Sequence, residues 1–185
     1  MPKRDACNLR PMAETDLDLV LSWRNQERIR RAMYTDHVIS LDEHRAWFKR
    51  VSEDKSRLHF VFECDCRPVG VVNVVDIDWT HSRCVWGFYI GDESAPRGAG
   101  TAMGYLALEF IFEKLGLHKV VGEALADNEA SICYHERLGF ARERCLVDHI
   151  CKGRAFFDVI TFGLLNSDWY KVKDQLAAQV FGESV

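Results

Sequence analysis

Apolar positions along the chain change period several times, and each change predicts an element. Asn8–Met12 reads as a short first strand. Thr15-Asp-Leu-Asp supplies a cap and an acidic first turn, and Leu17, Val20, Leu21, Trp23 and Ile29 then recur at roughly helical spacing. Ser40-Leu-Asp-Glu43 is a capping box ahead of a second helix, Leu41–Val51. Three strands follow: His59–Glu63 and Val69–Ile77 around a hairpin at Asp65-Cys-Arg-Pro68, then Arg83–Ile90 after a polar turn at Asp78–Ser82. A helix is predicted over Thr101–Leu115, ending near Gly116, then a strand over Lys119–Leu125 and a helix over Ala130–Leu138, capped by Asn128 and stopped by Gly139. Arg142–Cys151 and Phe156–Leu165 form a last hairpin through Lys152-Gly153, and Asp168–Phe181 is an amphipathic C-terminal helix suited to an interface. Strands first and β-α-β-α afterwards imply an α/β (α+β) domain with a mixed sheet of about seven strands and helices on both faces. No repeat, linker or low-complexity tract divides residues 1–185, so one domain is expected.

Composition narrows the class. The chain has 185 residues, 48% hydrophobic and 28% charged, as ordinary soluble domains do. A formal charge of −4 argues against a nucleic-acid binder. No apolar run reaches membrane-spanning length and the N-terminus has no signal-peptide core, so a cytoplasmic protein with no membrane partner is expected. Seven scattered cysteines, an odd number, fit reduced thiols better than a disulfide framework. Cys64-Asp-Cys66 lacks a second Cys/His pair, so no metal site is expected.

The chemistry concentrates at residues 84–102, where an apolar strand ends at Gly91 and a polar loop runs through Arg97-Gly98-Ala99-Gly100-Thr101-Ala102 into a helix. Loop glycines let backbone approach a phosphate closely. The first N–H groups of a helix have no intrahelical partner and sit at the positive end of its dipole. A phosphate or pyrophosphate is therefore expected at residues 97–102. An ordinary strand-to-helix connection has the same outline. No Gly-Lys-Ser/Thr follows, and position 103 is Met103, so neither the P-loop nor the dinucleotide fingerprint applies.

Arg97-x-x-Gly100-x-Ala102 and, downstream, Asn128-x-x-Ser131-x-x-Tyr134 with Leu138-Gly139-Phe140 together resemble the two cofactor blocks of the GCN5-related N-acetyltransferase (GNAT) superfamily. The resemblance implies a sheet splayed between its fourth and fifth strands and acetyl-CoA as co-substrate. The diphosphate would lie on the amides of Arg97, Gly98, Ala99, Gly100, Thr101 and Ala102. The thioester would lie along Phe88, Tyr89 and Ile90, where a bulge would free backbone N–H groups. Asn128 and Ser131 would face the pantetheine arm, and Tyr134 would protonate the departing thiolate. Packing alone also explains a tyrosine there, and capping alone explains Asn128. Glu123, Asp76, His44 and His81 are candidate bases, none of them singled out by its sequence context.

The N-terminal third builds acceptor pockets in that superfamily. Here Trp23, Arg24, Asn25, Arg30, Met33, Tyr34, Trp47 and Tyr89 are the expected substrate residues. The segment resembles the amino-sugar branch, the N-acetyltransferases of pseudaminic acid biosynthesis. That implies transfer to the 4-amine of a UDP-4-amino-4,6-dideoxy sugar. Guanidinium groups suit phosphate and aromatic rings suit a deoxy sugar face, although Trp23 and Trp47 also fit a core and the arginines a solvated surface. Other readings are a protein α-amine or lysine acetyltransferase of the ribosomal-protein type, a polyamine or aminoglycoside acetyltransferase, and a noncatalytic acyl-CoA-binding module. Polyamines would want clustered acids, and residues 23–37 hold few. A homodimer through the C-terminal helix or a sheet edge is compatible with the pattern.

Overall fold

The computed structural model describes residues 2–182. One seven-stranded sheet runs in the order β1-β2-β3-β4-β5-β7-β6. Its strands are β1 (Cys7–Pro11), β2 (Leu58–Cys64), β3 (Arg67–Asp78), β4 (Arg83–Ile90), β5 (Lys119–Leu125), β6 (Ala141–Lys152) and β7 (Ala155–Leu165). All neighbours pair antiparallel except β4 and β5, which are parallel. The helices are α1 (Leu17–Arg24), α2 (Glu27–Ala32), α3 (Leu41–Ser52), α4 (Ala99–Glu109), α5 (Glu129–Arg137) and α6 (Asn166–Phe181).

Alternation along the strands divides the core in two. Val72, Val74, Cys84 and Trp86 face one side and pack with buried residues of α4, α5 and α6; Val61 and Val71 face the other and pack with Leu17, Val20, Trp23 and Ile29 of α1 and α2. Gly91 ends β4 directly against Trp23, where a Cβ would overlap the indole.

Three elements differ from the pattern-based expectation. The first helix is two. Asn25 ends α1, and Gln26 is extended before α2. In a continuous helix Ile29 would point away from Val20, and the break turns it back into the same buried cluster. Thr15 is not the cap; a 3₁₀ turn at Glu14–Asp16 precedes α1, and the Asp16 carboxylate accepts the Ala13 N–H at 2.8 Å. The capping box of α3 is half made: Ser40 accepts the Glu43 N–H, but the Glu43 carboxylate turns to His37 at 2.9 Å. The C-terminal helix, expected to offer an interface, spends its apolar face inside the chain. Its Trp169 is fully buried between Tyr105 of α4 and Phe112, with ring centroids at 5.3 and 6.0 Å.

Candidate active site

β4 and β5 pair only through Arg83–Val85 and Lys119–Val121, and beyond that β5 pairs with β7 alone. The sheet therefore opens between them, as expected. The expected bulge at Phe88–Ile90 is absent: β4 pairs with β3 in unbroken register from Val85 to Ile90, and the register shift lies at Val75/Asp78. Free N–H groups arise from the splay instead. Gly91 N–H donates to Val69 O, so the antiparallel ladder engages every second residue and turns the N–H groups of Phe88 and Ile90 toward the missing partner strand. No local distortion is needed once the neighbour is gone.

A cleft of about 360 Å³ occupies this opening, and its walls include Phe88, Tyr89, Ile90, Gly100, Asn128, Ser131 and Tyr134, with Glu123 on the β5 side. Asn128 caps α5 by accepting the Ser131 N–H at 3.1 Å. Its amide nitrogen meets no acceptor among the described residues. The Tyr134 ring lies 4.4 Å from Phe88, and its hydroxyl donates to Gly100 O at 2.7 Å. Burial pushes the Tyr134 phenol well above its usual pKa. Behind it, His135 is fully buried. Its Nδ1–H donates to Ser131 O at 2.8 Å and its Nε2 accepts the Trp86 Nε1–H at 3.2 Å. That arrangement fixes one neutral tautomer, and burial lowers the His135 pKa to about 4.

The cleft continues around Gly100 and Tyr134 into an open cavity of about 660 Å³ lined by Arg97, Gly98, Thr101, Arg137, Gln179 and Val180. Gly98 sits at φ +91°, a conformation glycine takes without strain. Ala99 and Ala102 point into the core and contribute only backbone there; their N–H groups are taken by Pro96 O and Gly98 O. The N–H groups of Gly100 and Thr101 meet no acceptor among the described residues. Arg97 and Arg137 form no ion pair among them either. Two amides at a helix start and two guanidinium groups make this end of the cavity positive, a setting able to hold an anion. Arg137 was legible as the residue one helical turn beyond Tyr134, on the same face.

A further cavity, about 490 Å³, lies on the opposite sheet face under α1, α3 and the 33–40 loop, with Arg24, Met33, Thr35, His44, Trp47, Arg50, Asn73 and Tyr89 on its walls. Met33, Asn73 and Tyr89 border both this cavity and the β4–β5 cleft. Asn73 is a polar interruption in Val71-Val72-Asn73-Val74-Val75, a signal open to sequence reading but not taken up.

The other expected substrate residues have different work. Trp23 is in the core. Asn25 grips Ile39 twice, Nδ2 to O and Oδ1 from N–H, both at 2.8 Å. Arg30 donates to Asp36 O at 2.7 Å and to Asn25 O at 3.1 Å. Both residues shape the loop over the cavity. Tyr34 is exposed, and its hydroxyl donates to Glu123 Oε2, on the cleft wall, at 2.6 Å. Arg28, which no sequence signal marks, ties α2 to the end of β4 through Ile90 O and Gly91 O at 3.0 and 2.7 Å. Of the four candidate bases only Glu123 borders the cleft; Asp76 pairs with Arg57 at 3.1 Å, His81 lies in an exposed turn, and His44 borders the other cavity.

Residues 7–141 match the family described as Acetyltransferase (GNAT) domain. The spermidine N(1)-acetyltransferase of Escherichia coli K12 is 29% identical over 143 residues, 77% of each chain. Acetyltransferase PseH of Campylobacter jejuni is 24% identical over 133 residues, 72% of this chain and 82% of its own. The likeness to the amino-sugar branch, expected to be the strongest, is thus weaker than that to the E. coli spermidine enzyme. A crystal structure of Vibrio cholerae spermidine N-acetyltransferase with CoA and spermine superposes with a TM-score of 0.83 at 22% identity, covering 90% of this chain and 99% of that one.

Proposed function

This chain belongs to the Acetyltransferase (GNAT) domain family, and from that premise we propose that it moves an acetyl group from acetyl-CoA to the 4-amine of a UDP-4-amino-4,6-dideoxy sugar. The observation that carries the reading is the common wall of Met33, Asn73 and Tyr89. A donor in the cleft and an acceptor under the 33–40 loop would meet there, so the reactants are held together rather than left to collide. Met33, Trp47 and Tyr89 offer an apolar, aromatic surface for a deoxy sugar face.

In this reading the diphosphate of acetyl-CoA lies at Gly100, Thr101, Arg97 and Arg137. Its thioester carbonyl takes the Phe88 and Ile90 N–H groups, which stabilise the developing oxyanion. Attack forms the C–N bond and breaks the C–S bond. Glu123, the carboxylate bordering the cleft, takes the proton that the amine loses. Tyr134, kept protonated by burial, gives its proton to the thiolate.

Similarity to the spermidine N(1)-acetyltransferase of E. coli supports a second reading, in which a polyamine is the acceptor. The test is CoA release, followed by mass spectrometry because the exposed Cys66, Cys133, Cys145 and Cys151 would react with a thiol dye. The acceptors are UDP-4-amino-4,6-dideoxy sugars, spermidine, a basic peptide and an aminoglycoside. Release with the UDP sugars alone is the expected result. Release with spermidine alone establishes the second reading, and binding of acetyl-CoA with no release across the panel favours a noncatalytic module.

A further inference from the structure

The acceptor cavity carries a polar feature that its apolar walls do not explain. Arg24 is half-buried and held in place: its Nη2 donates to Thr35 O and Thr35 Oγ1, both at 2.9 Å. Its Nη1 is buried with no partner, and so is the Nε2 of His44, a residue stacked on Trp47 with ring centroids 5.1 Å apart. Both residues border the same cavity. A buried donor of a charged group left without an acceptor is costly, more so than a neutral one. Burial and the neighbouring Arg24 also lower the His44 pKa, so the ring is neutral near pH 7 and adds no competing charge.

The charge around the cavity has one sign in excess. Arg24 and Arg50 border it, against a single carboxylate, Glu43, which is already hydrogen-bonded to His37 at 2.9 Å. In a site sheltered from water an ammonium group of a polyamine would be repelled by this pair, whereas a phosphate ester would be drawn in. The guanidinium fork matches phosphate oxygens in geometry as well as in charge.

We propose that Arg24 and His44 form an anion subsite that binds a phosphate ester at the far end of the acceptor and excludes polyamines. The inference rests on the acceptor occupying this cavity in acetyl transfer. It makes Arg24 a specificity-determining residue and separates this chain from the spermidine enzymes it resembles.

The test uses the full chain with CoA present, with UDP and spermidine as calorimetric probes. The variants are Arg24→Met, Arg24→Lys and His44→Gln. CoA affinity, which depends on α4 and α5, serves as the check that each variant is folded. UDP is expected to bind the wild type and to bind Arg24→Met at least about tenfold more weakly, with Arg24→Lys recovering part of the loss because it keeps the cation without the fork. His44→Gln, which can still donate a hydrogen bond, is expected to lose less than Arg24→Met. Spermidine is expected to bind Arg24→Met better than the wild type. Equal UDP affinity in wild type and Arg24→Met, or tighter wild-type binding of spermidine than of UDP, overturns the subsite. If UDP binding depends on Arg24 while no UDP-4-amino sugar is acetylated, the subsite stands and the proposed sugar falls. If such a sugar is acetylated at a rate indifferent to Arg24, the sugar stands and the subsite falls.

Discussion

His135 and Tyr134 are neighbours on one helix with opposite duties. His135, stacked on Phe162 at 4.5 Å, is neutral in the fold and titrates near 4 there, against 6.5 for a free histidine. Between those values the unfolded chain binds the extra proton. The stability conferred by neutral His135 is therefore complete above about pH 6.5 and is lost as the pH falls toward 4, a swing of about 3 kcal/mol. Urea midpoints measured between about pH 7 and about pH 4 are expected to show this fall, and in His135→Phe the same component is expected to vanish. Tyr134→Phe removes only a hydroxyl. Turnover is expected to drop about 10²-fold, in the range of a lost general acid, with acetyl-CoA affinity nearly unchanged. Unchanged turnover removes Tyr134 from the chemistry.

Helix α4 shows how an element carries a site it does not itself react in. Gly104 lies inside it, where a Cβ would strike the Tyr134 hydroxyl and Leu138. Alanine there improves helix propensity by about 1 kcal/mol. Overpacking of a filled core works against it by about 1–3 kcal/mol, and the Tyr134 ring must move. Gly104→Ala is expected to melt several degrees lower and to lose turnover together with stability. A variant that melts higher with normal turnover contradicts the packing argument. Element boundaries followed the patterns closely for β4 and β5, which end at Ile90, just before Gly91, and at Leu125, as the apolar runs predict. The split between α1 and α2 left one mark in the sequence: in a continuous helix Ile29 would lie half a turn out of phase with Val20, and the roughly helical spacing of the other apolar positions hid it.

The cavity proposed for the diphosphate exists only in the assembled molecule. Arg97 precedes α4, Arg137 ends α5 and Gln179 belongs to α6, yet all three border one cavity. Arg137→Ala is expected to raise the KM for acetyl-CoA about tenfold while barely changing that for acetyl-pantetheine, which lacks the diphosphate. Equal effects on the two donors would place Arg137 elsewhere than at the phosphates. The same holds across the sheet: Tyr34 and Glu123 are far apart in sequence, yet they are joined by a hydrogen bond at the cleft wall.

Local chemistry was readable along the chain. Periodicity marked the strands and most helices, and the helix start near Ala99, the Asn128 cap and the Gly139 turn were legible because they are properties of a few adjacent residues; that these blocks hold the donor is what the family resemblance implies. The expected seven-stranded mixed sheet and its splay followed from element order and resemblance. Tertiary structure decided what depends on distant neighbours. It sent Trp23 to the core, set Asn25 and Arg30 to holding a loop, and left one nitrogen of Arg24 unpaired. It also freed the Phe88 and Ile90 amides by withdrawing a partner strand instead of by a bulge. A residue's type limits the bonds it is able to form, and which of them form is set by the surfaces the fold brings against it.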